Sequence, residues 1–514
     1  MAYMMGIDVG TTGTRAVIVR PDGHVMGAAT GDHQPMRMPK AGWAEQEPQD
    51  WWQATIQAVR SALDAAGLSG SDIAAIGLSG QMHGVVLLDE SNAVLYPSLI
   101  WCDQRSHVQC EWITSRVGAE RLIKLVLNPA LTGFSAPKLL WLRDNEPRVY
   151  ERAAHCLLPK DFVRHRLTGE FATDVSDASG TLLFDVAKRR WSQEVLEALD
   201  IDRSLLPRAY ESAKITGEIT SQTALVTGLK AGTPVVAGAG DQAASAVGNG
   251  IVSKGLTSAT LGTSGVIFTY TATPKLDPRG RIHTFCHAVP GKWHVMGVTQ
   301  SAGLSLRWFR EQFGAMEAWY AGRTAEDPYD LIIREAEKIP PGSDGLIFLP
   351  YLMGERTPHL DAHARGMWFG LTAAHTRGHM IRSILEGVAF SLRDSLEIFK
   401  ELQIPVAQIR ASGGGSRSAA WRRIQADIYG KQLVTLQESE GSAFGAALLA
   451  GVGGKIYSSV EESARQAIHL RDQVAPQPAN SRIYDRVYQV YQGLYPAVRE
   501  FAHRLAELDT ETVE

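Results

Sequence analysis

The order of apolar and polar residues changes period several times along the chain, and each change predicts an element. Between residues 4 and 30, short apolar runs alternate with turn-forming residues, which predicts strand, turn, strand, turn, strand. Met5-Gly6-Ile7 and Ala16-Val17-Ile18-Val19 flank Val9-Gly10-Thr11-Thr12-Gly13, and Pro21-Asp22-Gly23-His24 supplies the second turn. The period then lengthens. From Glu47-Pro48-Gln49-Asp50 to about Ala66, the residues Trp52, Ile56, Val59 and Leu63 recur at three- and four-residue intervals, the mark of a helix with one buried face. Ile73-Ala74-Ala75-Ile76-Gly77-Leu78 returns to a strand pattern, followed by the polar loop Ser79-Gly80-Gln81-Met82-His83-Gly84 and an apolar run to Leu88. Residues 106–166 read as mostly helical, with one helix beginning at Pro137, because proline is tolerated in a first helical turn. Residues 173–184, rich in Asp and Ser, read as loop or short helix.

Past residue 230 the pattern repeats in kind. Residues 233–238 predict a strand that ends at Ala239-Gly240-Asp241, with a helix starting at Gln242. From about Ile251 a second half begins, and in it Leu261-Gly262-Thr263-Ser264-Gly265 restates the first Gly-Thr turn, followed by the β-forming Val266-Ile267-Phe268. Strands at 293–297, 347–351 and 409–412 and helices at 304–313, 377–402 and 419–429 follow. The helix at 377–402 carries Ile381, Ile384, Leu385 and Val388 on one face. Gly441, Ala443, Gly445, Ala446 and Ala447 make a small-residue helix that lets backbones pack closely, and 484–508 is an amphipathic helix with a structural role.

A chain of 514 residues exceeds what one core supports, so two domains are expected, 1–250 and 251–514, each carrying one copy of the turn. Exposed backbone N–H groups in such a glycine turn make a concavity suited to phosphate oxygens. Gly10 and Gly262 are the candidate phosphate-cradling residues, and two copies suggest like domains facing a shared cleft. Composition adds little: 45% apolar, 21% charged and a net charge of −4 describe a globular chain with no basic face for nucleic acid or an anionic membrane. The first residues have no basic run, no apolar stretch approaches a membrane span, and a cytoplasmic location is expected. Cys102, Cys110, Cys156 and Cys286 lack Cys-x-x-Cys spacing, so free thiols are expected rather than disulfides or zinc.

Candidate chemistry gathers at a few positions. Asp8 is a carboxylate inside an apolar strand, two residues before the first turn; it is either a hydrogen-bonded structural group or a partner for Mg²⁺ or its water shell. Gln81 and His83 offer donors and acceptors suited to a polyhydroxylated ligand. Trp101 either packs in the core, the weightier reading, or stacks on a sugar face. Asp241 sits between a strand end and a helix start. It is either an N-cap or a general base whose small neighbours admit a substrate, and the base is the reading taken. Gly303 at a helix start could accept a phosphate or ribose. Gly413-Gly414-Gly415-Ser416-Arg417-Ser418 between a strand and a helix is a second kind of nucleotide cradle, and no Gly-Lys-Ser/Thr follows, so it is not a Walker A loop.

With Asp8, both Gly-Thr turns, Asp241 and the triple glycine together, the chain resembles the FGGY carbohydrate kinases. Residues 134–145 (Phe134-Ser135-Ala136-Pro137-Lys138 onward), Gly366-Met367-Trp368-Phe369-Gly370-Leu371 and the stretch from His379 to Glu386 look like that family's signatures. The resemblance implies an α/β fold of two duplicated actin/hexokinase-like (ribonuclease H-like) domains around a central cleft. It implies ATP and Mg²⁺, a small-molecule sugar as acceptor, Asp241 as base, Asp8 near the metal, and Met82 and His83 on the sugar. It further implies that Thr11, Thr12, Thr263, Gly303, Gly414 and Ser418 lie near ATP; Ser418 stands where some members have Asn. The loop at 79–84 looks like that of members acting on D-xylulose, whereas glycerol-acting members carry Arg-Glu where Met82-His83 stands. A ketopentose kinase is therefore the expectation. The alternatives are another sugar, polyol or sugar acid (L-ribulose, L-fuculose, gluconate, glycerol) and, from a different class, an actin-like nucleotide switch. A homodimer is compatible with the sequence, which singles out no surface for it.

Overall fold

The computed structural model describes residues 2–438 and 440–511. The chain forms two compact units. The first comprises residues 1–253, 270–294 and 438–469; the second comprises 254–269, 295–437 and 470–514. Beyond the expected break near residue 250, the chain thus returns to the first unit twice. All four cysteines are free thiols.

The first unit is built on a mixed sheet of β1 (Tyr3–Val9), β2 (Gly13–Val19), β3 (Val25–Asp32), β4 (Ile73–Gly80), β5 (Ile215–Glu218) and β6 (Pro234–Val236). Their order is β5-β6-β4-β1-β2-β3. β1 and β2 are an antiparallel hairpin, β3 continues it, and β4 and β6 run parallel to β1. Helix α1 (Pro48–Ala66) packs on β2 and β3, with Trp52, Val59 and Leu63 buried as the period predicted. The predicted helix at Pro137 starts two residues earlier, at Ser135, because Phe134 is the extended cap residue. Proline at the third helical position still lacks only an N–H that the first turn leaves unbonded.

The second unit repeats the sheet plan with β7 (Gly255–Leu261), β8 (Gly265–Thr271), β9 (Trp293–Thr299), β10 (Val406–Ser412), β11 (Gln432–Leu436) and β12 (Leu470–Val474). The order of these six, within a seven-stranded sheet, is β9-β8-β7-β10-β11-β12. β7 and β8 form the antiparallel hairpin, β10 and β11 run parallel to β7, and β12 closes the row antiparallel, as β5 does in the first unit. The hairpin, the strand beyond it and the parallel strand beside it recur in the same order in both units, the signature of a duplicated domain, whereas the last two strands are swapped: edge strand β5 precedes β6 in the chain and β12 follows β11. A strand, a three-residue glycine turn and a return strand start each copy.

Between the two hairpins lies α2 (Asp241–Gly248); after β9 come α3 (Gly303–Phe313), α4 (Arg377–Glu401), α5 (Ala419–Tyr429), α6 (Gly441–Gly453) and α7 (Pro478–Glu511). In α4 the four residues of the predicted apolar face are all buried. Side-chain parity in β1 explains how α6 reaches the first sheet. Met5, Ile7 and Val9 point into the core shared with α1, so Gly6 and Asp8 point to the opposite face. A Cβ on Gly6 would lie 1.8 Å from the Ala443 carbonyl oxygen, and one on its partner Gly77 would lie 2.1 Å from that of Ala446. On the far side of α6, a Cβ on Gly445 would lie 1.8 Å from the Ala244 carbonyl of α2. Glycine on the strands and on the helix therefore sets a backbone-to-backbone layer that no larger residue fits.

Gly6→Ala and Gly445→Ala are each expected to destabilise the protein by about 1–3 kcal/mol, the usual cost of forcing a methyl into a filled layer. Denaturant titration should show a lower midpoint with an unchanged slope. A midpoint equal to the parent's would mean that this layer is not close-packed.

Candidate active site

Three parallel strands of the first unit end side by side. In register, Asp8 of β1 faces Ser79 of β4, and the short strand Ala239–Gly240 runs along the other edge of β4 with Ala239 opposite Ser79. Ligands of open α/β sheets bind beyond such carboxyl ends. Asp241 follows at once, as the first residue of α2, and the cap residue is Gly240. The N-cap role weighed for Asp241 thus falls to its neighbour, whose bare backbone turns there without a side chain. The carboxylate of Asp241 is left partly exposed at the sheet's end.

Asp8 accepts from Ser79 Oγ at 2.6 Å and from Ser442 Oγ of α6 at 3.3 Å. Burial raises its pKa above the usual carboxylate value, and the two hydroxyls oppose that rise. Asp241 is pushed up to about 7, first by burial and then by the charge of Asp8, with Gln242 counteracting through its backbone and side-chain hydrogen bonds. Two half-buried carboxylates within each other's field cannot both ionise without cost. Two roles open from this: a proton acceptor poised near neutrality, and a demand for a cation.

The first turn is braced by residues of the loop that follows β4. Gly10 N–H donates to Gly13 O at 3.0 Å across the turn. Gln81 Nε2 donates to Gln46 Oε1 at 2.8 Å, and Gln46 Nε2 donates to Thr11 O at 2.6 Å. Trp101 Nε1 donates to Thr11 Oγ1 at 3.1 Å. Trp101 is 47% exposed, so the core packing weighed above is corrected: its indole N–H holds the turn while its ring faces solvent. Gln81 is buried, and its amide is engaged within the protein. Gln46 went unnoticed in the sequence; it stands at the short strand Glu45–Gln46, where no local pattern marks a polar brace. Thr12 is exposed at the tip of the turn.

Met82 and His83 stand beside these groups. Met82 is buried, wedged where a Cβ on Gly240 would lie 2.9 Å from its Cγ. His83 has a positive φ of 72°, uncommon for a non-glycine residue and a mark of imposed geometry. Its Nδ1 donates to Gly180 O at 2.6 Å, which fixes the proton on that nitrogen, and Phe134 packs edge-on against the ring at 5.0 Å between centroids.

The second unit holds a cavity of about 300 Å³. Gly262, Thr263, Gly303, Gly414, Gly415 and Ser418 all line it, so the two glycine motifs of this unit meet in one place. Their contacts differ from the simple cradle expected. Gly303 N–H is not open to an anion, since it donates to Gly262 O at 2.8 Å, and a Cβ there would lie 2.5 Å from that oxygen. Gly303 is required for α3 to seat against the turn. Ser418 caps α5, its Oγ accepting from Trp421 N–H at 3.2 Å. Gly413 has φ of 78° and approaches Leu261 O, whereas Gly414 presents an open backbone to the cavity. The cavity also gathers Arg417 of the triple-glycine stretch and Arg307, Asp327, Tyr329, Asp330 and Trp421, the last five of which the sequence did not single out. Arg307 was the readable one, four residues after Gly303 on the same helical face.

Profiles of the FGGY family of carbohydrate kinases match the chain twice, the N-terminal domain over residues 3–248 and the C-terminal domain over 257–454. The xylulose kinase of Bacillus subtilis (strain 168) is 38% identical over 97% of this chain and 98% of its own. The gluconokinase of the same organism is 33% identical over 87% of each. Among solved structures, the xylulose kinase of Rhodospirillum rubrum superposes with a TM-score of 0.89 at 31% identity, covering 98% of this chain and all of that one.

Removing the charge of Asp8 should free Asp241. In Asp8→Asn without divalent cations, the Asp241 carboxyl should titrate about one unit or more below the parent's value, toward the ordinary range. Carbon-13 NMR of labelled aspartate reads this directly. An unmoved midpoint would show that burial alone raises it.

Proposed function

On the premise that the chain belongs to the FGGY family of carbohydrate kinases, we propose that it transfers the γ-phosphoryl group of ATP to the primary hydroxyl of D-xylulose, giving the 5-phosphate. It is a phosphotransferase acting on a sugar; the acceptor is the part proposed. The observation that carries the reading is Asp241, a carboxylate with its pKa pushed up to about 7 at a strand's end, next to the loop that holds Met82 and His83. Near-full-length similarity to a xylulose kinase supports the choice of sugar. So does the loop at 79–84, which has Met82-His83 in place of the Arg-Glu of glycerol kinases.

In this reading Asp241 accepts the proton of the attacking hydroxyl, and His83 and Met82 hold the sugar so that this hydroxyl lies against the carboxylate. Trp101 offers the exposed face of its ring to the sugar. The cavity of the second unit takes ATP, with Arg307 and Arg417 as cations for its phosphates and the backbone of Gly414 and Gly415 beneath them. Phosphoryl transfer leaves little covalent work to a protein; positioning and neutralisation of charge supply the acceleration. Thr11, Thr12 and Thr263 add hydroxyl and backbone donors at the two turns.

The donor set fits Mg²⁺. Asp8 would supply a hard oxygen ligand, and a cation there would relieve the charge that raises Asp241. Mg²⁺ characteristically uses one or two carboxylates together with water and phosphate oxygens. When bound, the ion would neutralise charge on the nucleotide's phosphates. A cytoplasmic enzyme, alone or as a homodimer, is consistent with this chemistry. No helix among the described residues is long and apolar enough to cross a membrane.

A sugar acid is the second reading, on the strength of the similarity to a gluconokinase. The loop at 79–84 carries no Lys or Arg to meet a carboxylate, which favours the neutral ketose.

ADP release across ketopentoses, polyols and gluconate tests the proposal. D-xylulose is expected to give the highest kcat/KM, with gluconate at least tenfold lower; gluconate or glycerol ahead of every ketose would overturn the choice of sugar. ATP turnover indifferent to all acceptors would instead point to a nucleotide switch.

Asp241→Asn should lower kcat by about 10²–10⁴, the range of a general base, and leave ATP affinity within about twofold. In the parent, the base works only when ionised, so kcat/KM should fall as pH drops through the pKa of Asp241. That limb should lie at about 7 or below, because a cation at Asp8 favours the ionised form. A flat profile down to pH 5 would remove Asp241 from the role.

A further inference from the structure

A short buried segment lies behind both halves of the sugar site. It runs through the strand Ala172–Asp174, the one-turn helix Val175–Ala178 and the 3₁₀ turn Ser179–Thr181, and every residue in it is buried. Asp174 is its anchor. One carboxylate oxygen lies 3.0 Å from Lys160 Nζ. The other accepts from Ser176 N–H at 2.7 Å, from Ser176 Oγ at 2.5 Å and from Ser212 Oγ at 3.1 Å. Lys160 is buried among Asp161, Asp174 and Asp177, at 2.6, 3.0 and 3.3 Å. Hydrogen bonds to ionised groups are the short, strong ones, so this end of the segment is firmly fixed.

Having given its own proton to Asp174, Ser176 Oγ is left as an acceptor, and it takes the N–H of Gly240 at 3.1 Å. Gly240 is the residue before Asp241 and the cap of α2. Four residues along the same segment, the Gly180 carbonyl accepts from His83 Nδ1. Met82 fills the space between, with a Cβ on Gly180 reaching to 3.0 Å from its Cε. The base and the sugar loop are thus indexed to one segment from opposite ends.

We propose that Ser176 is a positioning residue, whose hydroxyl relays the Lys160–Asp174 anchor to the Gly240 amide and so holds the Asp241 carboxylate against the acceptor hydroxyl. This rests on Asp241 being the base. A group that only orients the base is needed in the transition state more than for binding, so its loss falls on kcat and leaves KM.

Ser176→Ala removes the acceptor; Ser176→Cys keeps the shape with a weaker one and serves if the alanine protein does not fold; Ser176→Thr restores the oxygen. In Ser176→Ala, kcat with D-xylulose should fall about tenfold with KM for sugar and ATP within about twofold, since small misplacement of a reacting group costs this much. The Gly240 amide should exchange with solvent at least about tenfold faster. Ser176→Thr should recover most of both. Gly240 exchange at the parent rate, or kcat within twofold of the parent, overturns the proposal. Asp241→Asn with the parent's kcat overturns the base reading instead, and the exchange measurement still decides whether Ser176 holds Gly240.

Discussion

Two half-buried carboxylates within each other's field govern the first unit. Asp8 and Asp241 each carry the cost of burial, and Asp241 carries the repulsion of Asp8 as well. A protein that needed only stability would replace one of them, because apolar groups fill such a space more cheaply. The surrounding residues lower the cost without removing it: Ser79 and Ser442 donate to Asp8, and Gln242 bonds Asp241. What remains is a carboxylate pushed up to about 7 beside a second one, the pair that the proposed base and cation roles use. A kinase acting on an alcohol needs both, and few structural roles need either.

The duplication sharpens that contrast. Two residues before its turn, the first copy has Asp8, facing Ser79 across the parallel pair. The second copy has Thr260 at the same offset, facing Ser412, and the two hydroxyls bond each other at 2.8 Å. The antiparallel hairpin, the parallel strand beside it and the turn length are the same in both units, so the scaffold does not demand a carboxylate at that place. Where Thr260 stands, a neutral hydroxyl pair satisfies the strand ends. Where Asp8 stands, a charge has been kept at a cost. Geometry common to both copies is fold; the residue that differs between them is chemistry.

Patterns with short range were legible in the sequence. The period of α1, the two glycine turns and the face of α4 follow from local spacing. So did Asp241 as a residue at a strand end, although the cap is Gly240, one residue earlier. Residues whose meaning comes from distant partners were not legible. Gln46 looks like any surface glutamine until Gln81 and Thr11 are brought to it. Trp101, readable as core or as a sugar-stacking face, is 47% exposed and its N–H is held by Thr11. Gly303 and Ser418 lie where their motifs suggested, but their polar groups are satisfied within the protein. Asp327, Tyr329 and Asp330 reach the cavity from a helix start with no glycine motif near it.

These engaged groups change what a glycine-rich motif is taken to mean. A cradle read from sequence assumes that bare N–H groups face a ligand. Here Gly303 spends its N–H on Gly262 O and Gly413 turns against Leu261 O, leaving Gly414 as the open backbone. In the first unit the same economy holds: Gly6 and Gly77 are bare so that α6 can lie on the sheet, and α6 brings Ser442 to Asp8. The helix that completes the oxygen set around Asp8 therefore comes from residues more than four hundred positions later, and only because two glycines on adjacent strands let it approach. Gly6, Gly77, Gly303 and Gly413 serve backbone contact, and in the first unit that contact is what places Ser442 beside Asp8.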